Sequence, residues 1–261
     1  MKVIILAAGE GKRLRPLTNK KPKCMIELFG KSLLQYQIDV FRSCKINDIS
    51  VVTGYKNEMI NISNVKFFKN TNFDKTNMVE TLFCASKELN DDVIISYGDI
   101  IFEKTVLEKL IQSKYDISVI IDLNWKKYWH QRFDDPLKDA ESLVLDKNGF
   151  IQNIGQKTSN YEKIQGQYIG LMKFQSKGID YLKDFYQQAK IASISGKNPL
   201  NQNLSFSQSY MTDLLQGMID KGHRIMSIPI QGGWLELDSI SDYELYNKKF
   251  LNGTLSNLIR I

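Results

Sequence analysis

The sequence predicts an α/β fold, a doubly wound and mostly parallel sheet with a smaller mixed α+β region behind it. Three observations carry this. Short runs such as Val3-Ile4-Ile5-Leu6, Ile49–Thr53, Val93-Ile94-Ile95 and Ile117–Ile121 are apolar on successive residues, as strands covered on both faces require. Segments with apolar residues three and four apart alternate with them, which is the pattern of helices packed on such a sheet. Several runs end at glycine, as at Gly9, Gly54 and Gly98. A length of 261 residues with 43% apolar residues suits a single domain, 1–261. We divide it into a nucleotide-binding half, 1–122, and an acceptor-binding half, 123–261.

Residues 2–8 form the first strand. A helix is expected over 32–43, with Ser32 as N-cap and Leu34, Ile38 and Phe41 on one face. Ile49–Thr53 and Val65–Phe68 are the second and third strands. Met78, Leu82, Ala85 and Leu89 mark one helix by their spacing. Val93-Ile94-Ile95 follows, ending at Gly98-Asp99. Thr105 and Glu108 form a capping-box pattern ahead of Val106, Leu107, Leu110 and Ile111. Ile117–Ile121 is the fifth strand. Beyond residue 122, a hairpin over 142–154 turns at Lys147-Asn148-Gly149, and Tyr168–Phe174 is a strand. Ile179, Leu182 and Ala189 mark a helix, and Met211 to Ile219 another, closed by Gly222. Ile225–Ile230 is a strand, and a last helix is expected from Ser241, capped reciprocally by Glu244. Residues 195–209, rich in Ser, Asn and Gln, are expected to form a mobile loop.

The first strand opens into Ala7-Ala8-Gly9-Glu10-Gly11-Lys12-Arg13, and Pro22-Lys23-Cys24 follows. Gly9 and Gly11 permit positive φ and let backbone N–H groups approach anionic oxygens. The chain carries 35 Lys+Arg against 29 Asp+Glu, a net charge of +6. Residues 1–23 hold seven of those cations and one acid, so the whole excess lies in this segment. A duplex-binding surface spreads its cations along a stripe or helix, so no nucleic-acid partner is expected. Leu14 stands where the dinucleotide fingerprint needs a third glycine, and Arg13 stands where a P-loop needs a hydroxyl.

The pattern Leu6-Ala7-Ala8-Gly9-x-Gly11-x-Arg13-Leu14-x-Pro16-Leu17-Thr18, with Lys23 beyond it, resembles the signature of the nucleotidyltransferase family, whose fold is Rossmann-like. Over nearly its full length the chain also resembles a narrower group, the bacterial cytidylyltransferases acting on phosphocholine and on L-glutamine phosphate in capsule pathways, the latter more closely. The shared stretches are Lys75-Thr76-Asn77-Met78-Val79, Arg132-Phe133-x-x-Pro136-Leu137-x-Asp139-Ala140-Glu141, Gln167-Tyr168-Ile169-Gly170-Leu171 and Tyr210-Met211-Thr212. The resemblance implies CTP as donor, a small phosphorylated acceptor and Mg2+ as cofactor. A sugar 1-phosphate or 2-aminoethylphosphonate is the alternative acceptor, and a non-catalytic nucleotide-binding module the alternative from another class.

In open α/β sheets ligands bind at the carboxyl ends of strands. The nucleotide is therefore expected on Leu6, Ala7, Ala8, Gly9, Glu10, Gly11, Lys12, Arg13 and Lys23, with Gly98 and Asp99 facing its phosphates. Gly54 and Tyr55 are expected to line the base pocket with Thr76, Asn77 and Met78. Asn77 either reads a pyrimidine edge, since it donates and accepts at once, or caps the helix it precedes. The resemblance implies catalytic roles for Arg13, on the β/γ-phosphates, and Lys23, on the α-phosphate and the incoming phosphate. Asp99, in the turn after its strand, is expected to ligate Mg2+, a hard cation that prefers carboxylate and phosphate oxygens, and the resemblance places the family's second metal carboxylate within 234–239. Sugar-nucleotide members carry Asp two residues after the Trp, where Glu236 stands. Choline-type members carry the acid four after it, at Asp238, so Asp238 is the expected ligand and Glu236 a helper. The acceptor is expected to meet Trp129, Arg132, Gln167, Tyr168 and Glu236. Of the two histidines, His130 and His223, neither is needed.

Three cysteines, Cys24, Cys44 and Cys84, suggest free thiols in a reducing compartment, with Cys24 and Cys84 packed inside. No signal peptide and no stretch of about 20 apolar residues is seen. A cytoplasmic protein without a membrane partner is expected.

Overall fold

The computed structural model describes residues 1–261. In chain order the elements are β1 (Lys2–Ala7), β2 (Glu27–Leu28), β3 (Lys31–Ser32), α1 (Leu33–Ser43), β4 (Ile49–Thr53), β5 (Lys66–Lys69), α2 (Met78–Phe83), β6 (Val93–Tyr97), β7 (Ile100–Phe102) and α3 (Lys104–Gln112). Then come β8 (Ile117–Asp122), α4 (Trp125–Arg132), β9 (Glu141–Leu145), β10 (Ile151–Lys157), β11 (Gln167–Phe174), α5 (Lys177–Ile194), α6 (Met211–Asp220), β12 (Met226–Ile230), β13 (Trp234–Glu236) and α7 (Ile240–Leu251). Seven strands form the central sheet in the order β12-β8-β11-β6-β1-β4-β5. Every neighbouring pair is parallel except the two made by β11, which runs antiparallel to β6 and β8. The sheet is thus mostly parallel, as the apolar runs implied, with one reversed strand contributed by the second half.

Both faces of the sheet are covered. Strand residues alternate sides: Val3, Ile5 and Val51 enter a cluster of 37 buried residues with α1, α3, α4 and α7, whereas Ile4, Leu6 and Val52 enter one of 28 with α2, α5 and α6. No helix is long and apolar enough to cross a membrane.

Several boundaries differ from the sequence reading, each for a local reason. The helix expected through Leu89 ends at Phe83 and tightens into a 3-10 turn over Ser86–Glu88. Leu82, Ala85 and Leu89 are still buried, while Cys84 faces outward and is exposed. Cys24 is buried as expected, and burial pushes its thiol up to about 12. The Thr105–Glu108 box does not form. Glu103 is the N-cap, tied back by its N–H to the Gly233 carbonyl at 2.8 Å, and Glu108 pairs with Lys104 instead. Helix α7 starts earlier than Ser241, because Ser239 and Asp242 form the capping box in place of Ser241 and Glu244. The segment 195–209 is pinned: Asn198 donates to Ser209 Oγ at 2.9 Å, Asn201 to Asp213 at 3.1 Å, and the Ser207 carbonyl accepts from the Asn77 N–H at 2.8 Å.

The pairing that matters most for the site was not anticipated. Strands β7 and β13 run antiparallel, Glu236 opposite Ile100 and Trp234 opposite Phe102, and the Leu237 N–H donates to the Asp99 carbonyl at 3.0 Å. This carries residues 236–238 to the end of β6. Gly98 makes the approach possible, since a Cβ there would lie 2.7 Å from the Leu6 carbonyl and 3.0 Å from Ala7. Gly98→Ala is expected to destabilise the fold by about 1–3 kcal/mol through that overpacking, measured by urea denaturation; an unchanged midpoint would show the two strand ends to be looser than described.

Candidate active site

Three carboxylates and two cations meet at the carboxyl ends of β1 and β6. Lys23 Nζ lies 2.7 Å from Asp99 Oδ2 and 2.6 Å from Asp238 Oδ1. The Arg13 guanidinium pairs with the other oxygen of Asp238. Carboxylate oxygens of Asp99, Glu236 and Asp238 lie within 4.8 Å of one another. Burial would lower the Lys23 pKa, but the charges of Asp99, Asp238 and Glu236 outweigh it and hold the ammonium above its usual range. Burial would likewise raise Asp238, and the Lys23 and Arg13 charges reverse that and hold it below the ordinary carboxylate range. Glu236 goes the other way: burial pushes it up to about 7 against the pull of Arg132, and the neighbouring Asp238 and Asp99 charges add to the rise.

The phosphate-type loop is shaped as its glycines suggested, with one difference. Gly11 adopts φ +63° beside Lys23 and Thr18, while Gly9 is outside the left-handed region. Thr18 Oγ1 donates to the Gly11 carbonyl at 3.0 Å and closes the loop on itself. Glu10 faces two cations of its own loop, Lys12 at 3.3 Å and Arg15 at 3.5 Å.

Two cavities flank the charged cluster. The first, of about 120 Å³, is lined by Leu6, Ala7, Ala8, Gly9, Lys23, Gly98 and Asp99 and by Thr76, Asn77 and Met78, with Cys24, Phe73 and Thr81 completing it. Gly54 and Tyr55 do not line it. The Tyr55 hydroxyl donates to the Thr18 carbonyl at 3.1 Å and its N–H to the Ala8 carbonyl at 3.0 Å, so Tyr55 buttresses the loop from behind. Phe73, edge-on to Tyr55, presents the aromatic surface instead. Of the two alternatives for Asn77, the structure forms the cap: its Oδ1 accepts from the Met78 N–H at 2.8 Å.

The second cavity, of about 240 Å³, shares Met78 with the first. Trp129, Gln167, Tyr168 and Glu236 line it, beside Arg13, Tyr97, Asp139, Glu141, Tyr210, Thr212 and Trp234. Asp139 and Glu141 were missed as site residues, although they stand on either side of buried Ala140 in a segment already singled out.

Arg132 is the correction here. Its side chain is wholly buried and does not reach the second cavity. The guanidinium is bidentate to Asp242, at 2.9 and 3.1 Å, and donates to Glu236 at 2.8 Å. Asp242 in turn accepts from the backbone N–H groups of Asp238 and Ser239, each at 3.0 Å. Tyr128 and Tyr246 complete this support, one hydroxyl accepting from the Glu236 N–H at 3.0 Å and the other donating to its carbonyl at 2.8 Å. A residue expected to meet a ligand instead sets the position of Glu236 and, through Asp242, of Asp238.

The donor set suits a hard divalent cation. All three acids offer oxygens, and Asp99 Oδ1 is buried with no hydrogen-bond partner. A buried carboxylate oxygen left unpaired is costly, and a cation bound there would satisfy it.

A family model described as "MobA-like NTP transferase domain" matches residues 3–145. The chain is 40% identical over 260 residues, 95% of its length and 100% of the relative's, to the CTP:phosphoglutamine cytidylyltransferase of Campylobacter jejuni. Among solved structures it is similar to the CTP:phosphocholine cytidylyltransferase from Streptococcus pneumoniae, with a TM-score of 0.70 and 20% identity over 95% of this chain and 98% of that one. It is also similar to the inositol-1-phosphate CTP transferase from T. maritima, with a TM-score of 0.69 and 18% identity over 100% and 98%. At those identities the solved structures establish the fold.

Replacing Arg132 by Met should strand Glu236 and Asp242 in a buried setting and cost about 3–5 kcal/mol. Arg132→Lys should recover only part of that, because an ammonium cannot make the bidentate contact. Denaturation midpoints of the two variants check this, and wild-type stability in Arg132→Met would remove the supporting role.

Proposed function

Since the chain belongs to the family of MobA-like NTP transferase domains, we propose that it is a cytidylyltransferase. It condenses CTP with a small phosphorylated acceptor of the L-glutamine phosphate or phosphocholine type, releasing pyrophosphate and giving a CDP-activated product. The observation that supports this best is the position of Lys23, hydrogen-bonded to Asp99 and Asp238 beside one cavity, while Arg13, paired with the same Asp238, faces the other. The preference for CTP rests on the named relatives.

The chemistry asks little of acid–base groups. An acceptor phosphate with a second pKa of about 6 is mostly dianionic near neutrality. One of its oxygens forms the new bond to the α-phosphorus while the bond to the pyrophosphate oxygen breaks, and no proton need move. Catalysis then consists of alignment and of placing fixed charge where negative charge gathers. In this reading Arg13 meets the β/γ-phosphates and favours departure of pyrophosphate, and Lys23 draws the α-phosphate and the incoming phosphate together. Asp99 and Asp238 would hold Mg2+, with Glu236 beside them, and the ion when bound supplies screening of the repulsion between two anions. Both halves of the chain, 1–122 and 123–261, contribute to this one cleft, and we place the reaction in the cytoplasm, where CTP is available.

Release of pyrophosphate from each of the four NTPs, paired with a panel of phosphorylated acceptors, tests the proposal. CTP is expected to be the preferred donor; silence with every pair would leave a nucleotide-binding module. Lys23→Ala is expected to lower kcat by about 10²–10³ with a much smaller change in KM for CTP. Wild-type turnover in that variant would overturn the role given to Lys23.

A further inference from the structure

Helix α1 turns Leu34, Ile38 and Phe41 inward, and all three are fully buried. Gln37 lies on the same face and is as buried as they are. A polar side chain taken wholly out of water is costly unless its groups are paired. Gln37 is paired at both ends of its amide, and every partner belongs to one stretch of chain. Its Nε2 donates to the Tyr97 carbonyl and to the Ile100 carbonyl, each at 2.8 Å. Its Oε1 accepts from Ser96 Oγ at 2.7 Å. A carbonyl only accepts, so two of them at one end of the amide fix that end as the donor.

The two carbonyls bracket Gly98-Asp99. One amide thus joins the last residue of β6 to the first residue of β7 and closes the turn between them. The other bonds of this turn are made by its backbone, from the Gly98 N–H to the Leu6 carbonyl at 2.8 Å and from the Leu237 N–H to the Asp99 carbonyl at 3.0 Å. The Asp99 carboxylate itself has one hydrogen bond, from Lys23 to Oδ2, and its Oδ1 has none. An ammonium on a flexible stem supplies charge but little direction, so the backbone of the turn aims this carboxylate. Gln37 lines neither cavity and can act on the site only through that backbone. We infer that Gln37 is a positioning residue: by stapling Tyr97 to Ile100 it holds the Asp99 carboxylate in the direction that binds a divalent cation. The inference rests on the reading of Asp99 as a metal ligand made under the proposed function. If Gln37 merely stabilised the fold, its loss would lower stability and leave cation affinity alone.

The test compares Mn2+ affinity in the presence of CTP, read by electron paramagnetic resonance, with melting temperature, read by circular dichroism. Gln37→Glu keeps the shape of the side chain and sets an oxygen against the two carbonyls; it is expected to weaken Mn2+ binding about tenfold or more, the scale of losing a support behind a ligating carboxylate. Gln37→Asn keeps the amide but is one methylene short of spanning both carbonyls. It is expected to give a smaller loss in the same direction, and it carries the test if Gln37→Glu does not fold. Phe41→Leu is the control. Phe41 lies one turn further along α1, edge-on to Phe102, so this variant loosens the helix away from the turn. It is expected to lower the melting temperature and leave Mn2+ affinity within about twofold of wild type, as a separate site should. Wild-type affinity in the folded Gln37 variants, with Asp99→Asn weakened, would overturn the positioning role and leave the metal site standing. A loss in Phe41→Leu equal to that in the Gln37 variants would overturn it as well, since any loosening of α1 would then suffice. Wild-type affinity in Asp99→Asn would overturn the metal-site reading and this inference with it.

Discussion

The ammonium of Lys23 lies between the carboxylates of Asp99 and Asp238, and the rest of the site is arranged around that fact. The two acids are 76 and 215 residues away from it along the chain. Three segments that no local signal connects are thereby drawn to one point: the loop after β1, the turn after β6 and the junction between β13 and α7. Each is held by something else as well. The loop is closed by Thr18 and backed by Tyr55. The turn is delivered by Gly98 and by the β7–β13 pairing. The junction is fixed by Asp242, itself fixed by Arg132. Fixed supports of this kind allow charges to be in place before the reactants arrive, which is how electrostatic preorganisation works.

The cost of assembling so much charge is visible. Glu236 is pushed up toward neutrality, and Asp99 keeps a buried oxygen without a partner. Strain of this sort concentrates where a ligand will relieve it.

Most strands of the parallel sheet were legible because each is a short apolar run, rich in β-branched residues and bounded by turn residues. Ile49–Thr53 ends where it was expected to end. Boundaries set by tertiary contact were not legible. The Thr105–Glu108 box is locally sound, yet Glu103 starts α3, because its backbone is bound to Gly233 more than a hundred residues away. The same holds for β7, only three residues long, whose partner strand lies at the far end of the chain. In the site, the loop and Lys23 were readable from glycine and charge, and Asp99 from its place after a strand. Arg132 was readable as important but not in its role, since an arginine turned inward to two acids and one turned outward to a ligand look alike in sequence. Asp139 and Glu141 gave no signal of their own. They line the second cavity, and only the fold brings them there.

The central claim is that Asp99 and Asp238 act as one cation site shared with a nucleotide. Binding of Mn2+ in the presence of CTP, followed by its electron paramagnetic resonance signal in the wild type, Asp99→Asn and Asp238→Asn, tests it without reference to turnover. The account predicts that either substitution weakens Mn2+ binding by about tenfold or more. Affinities equal to wild type in both variants would contradict it.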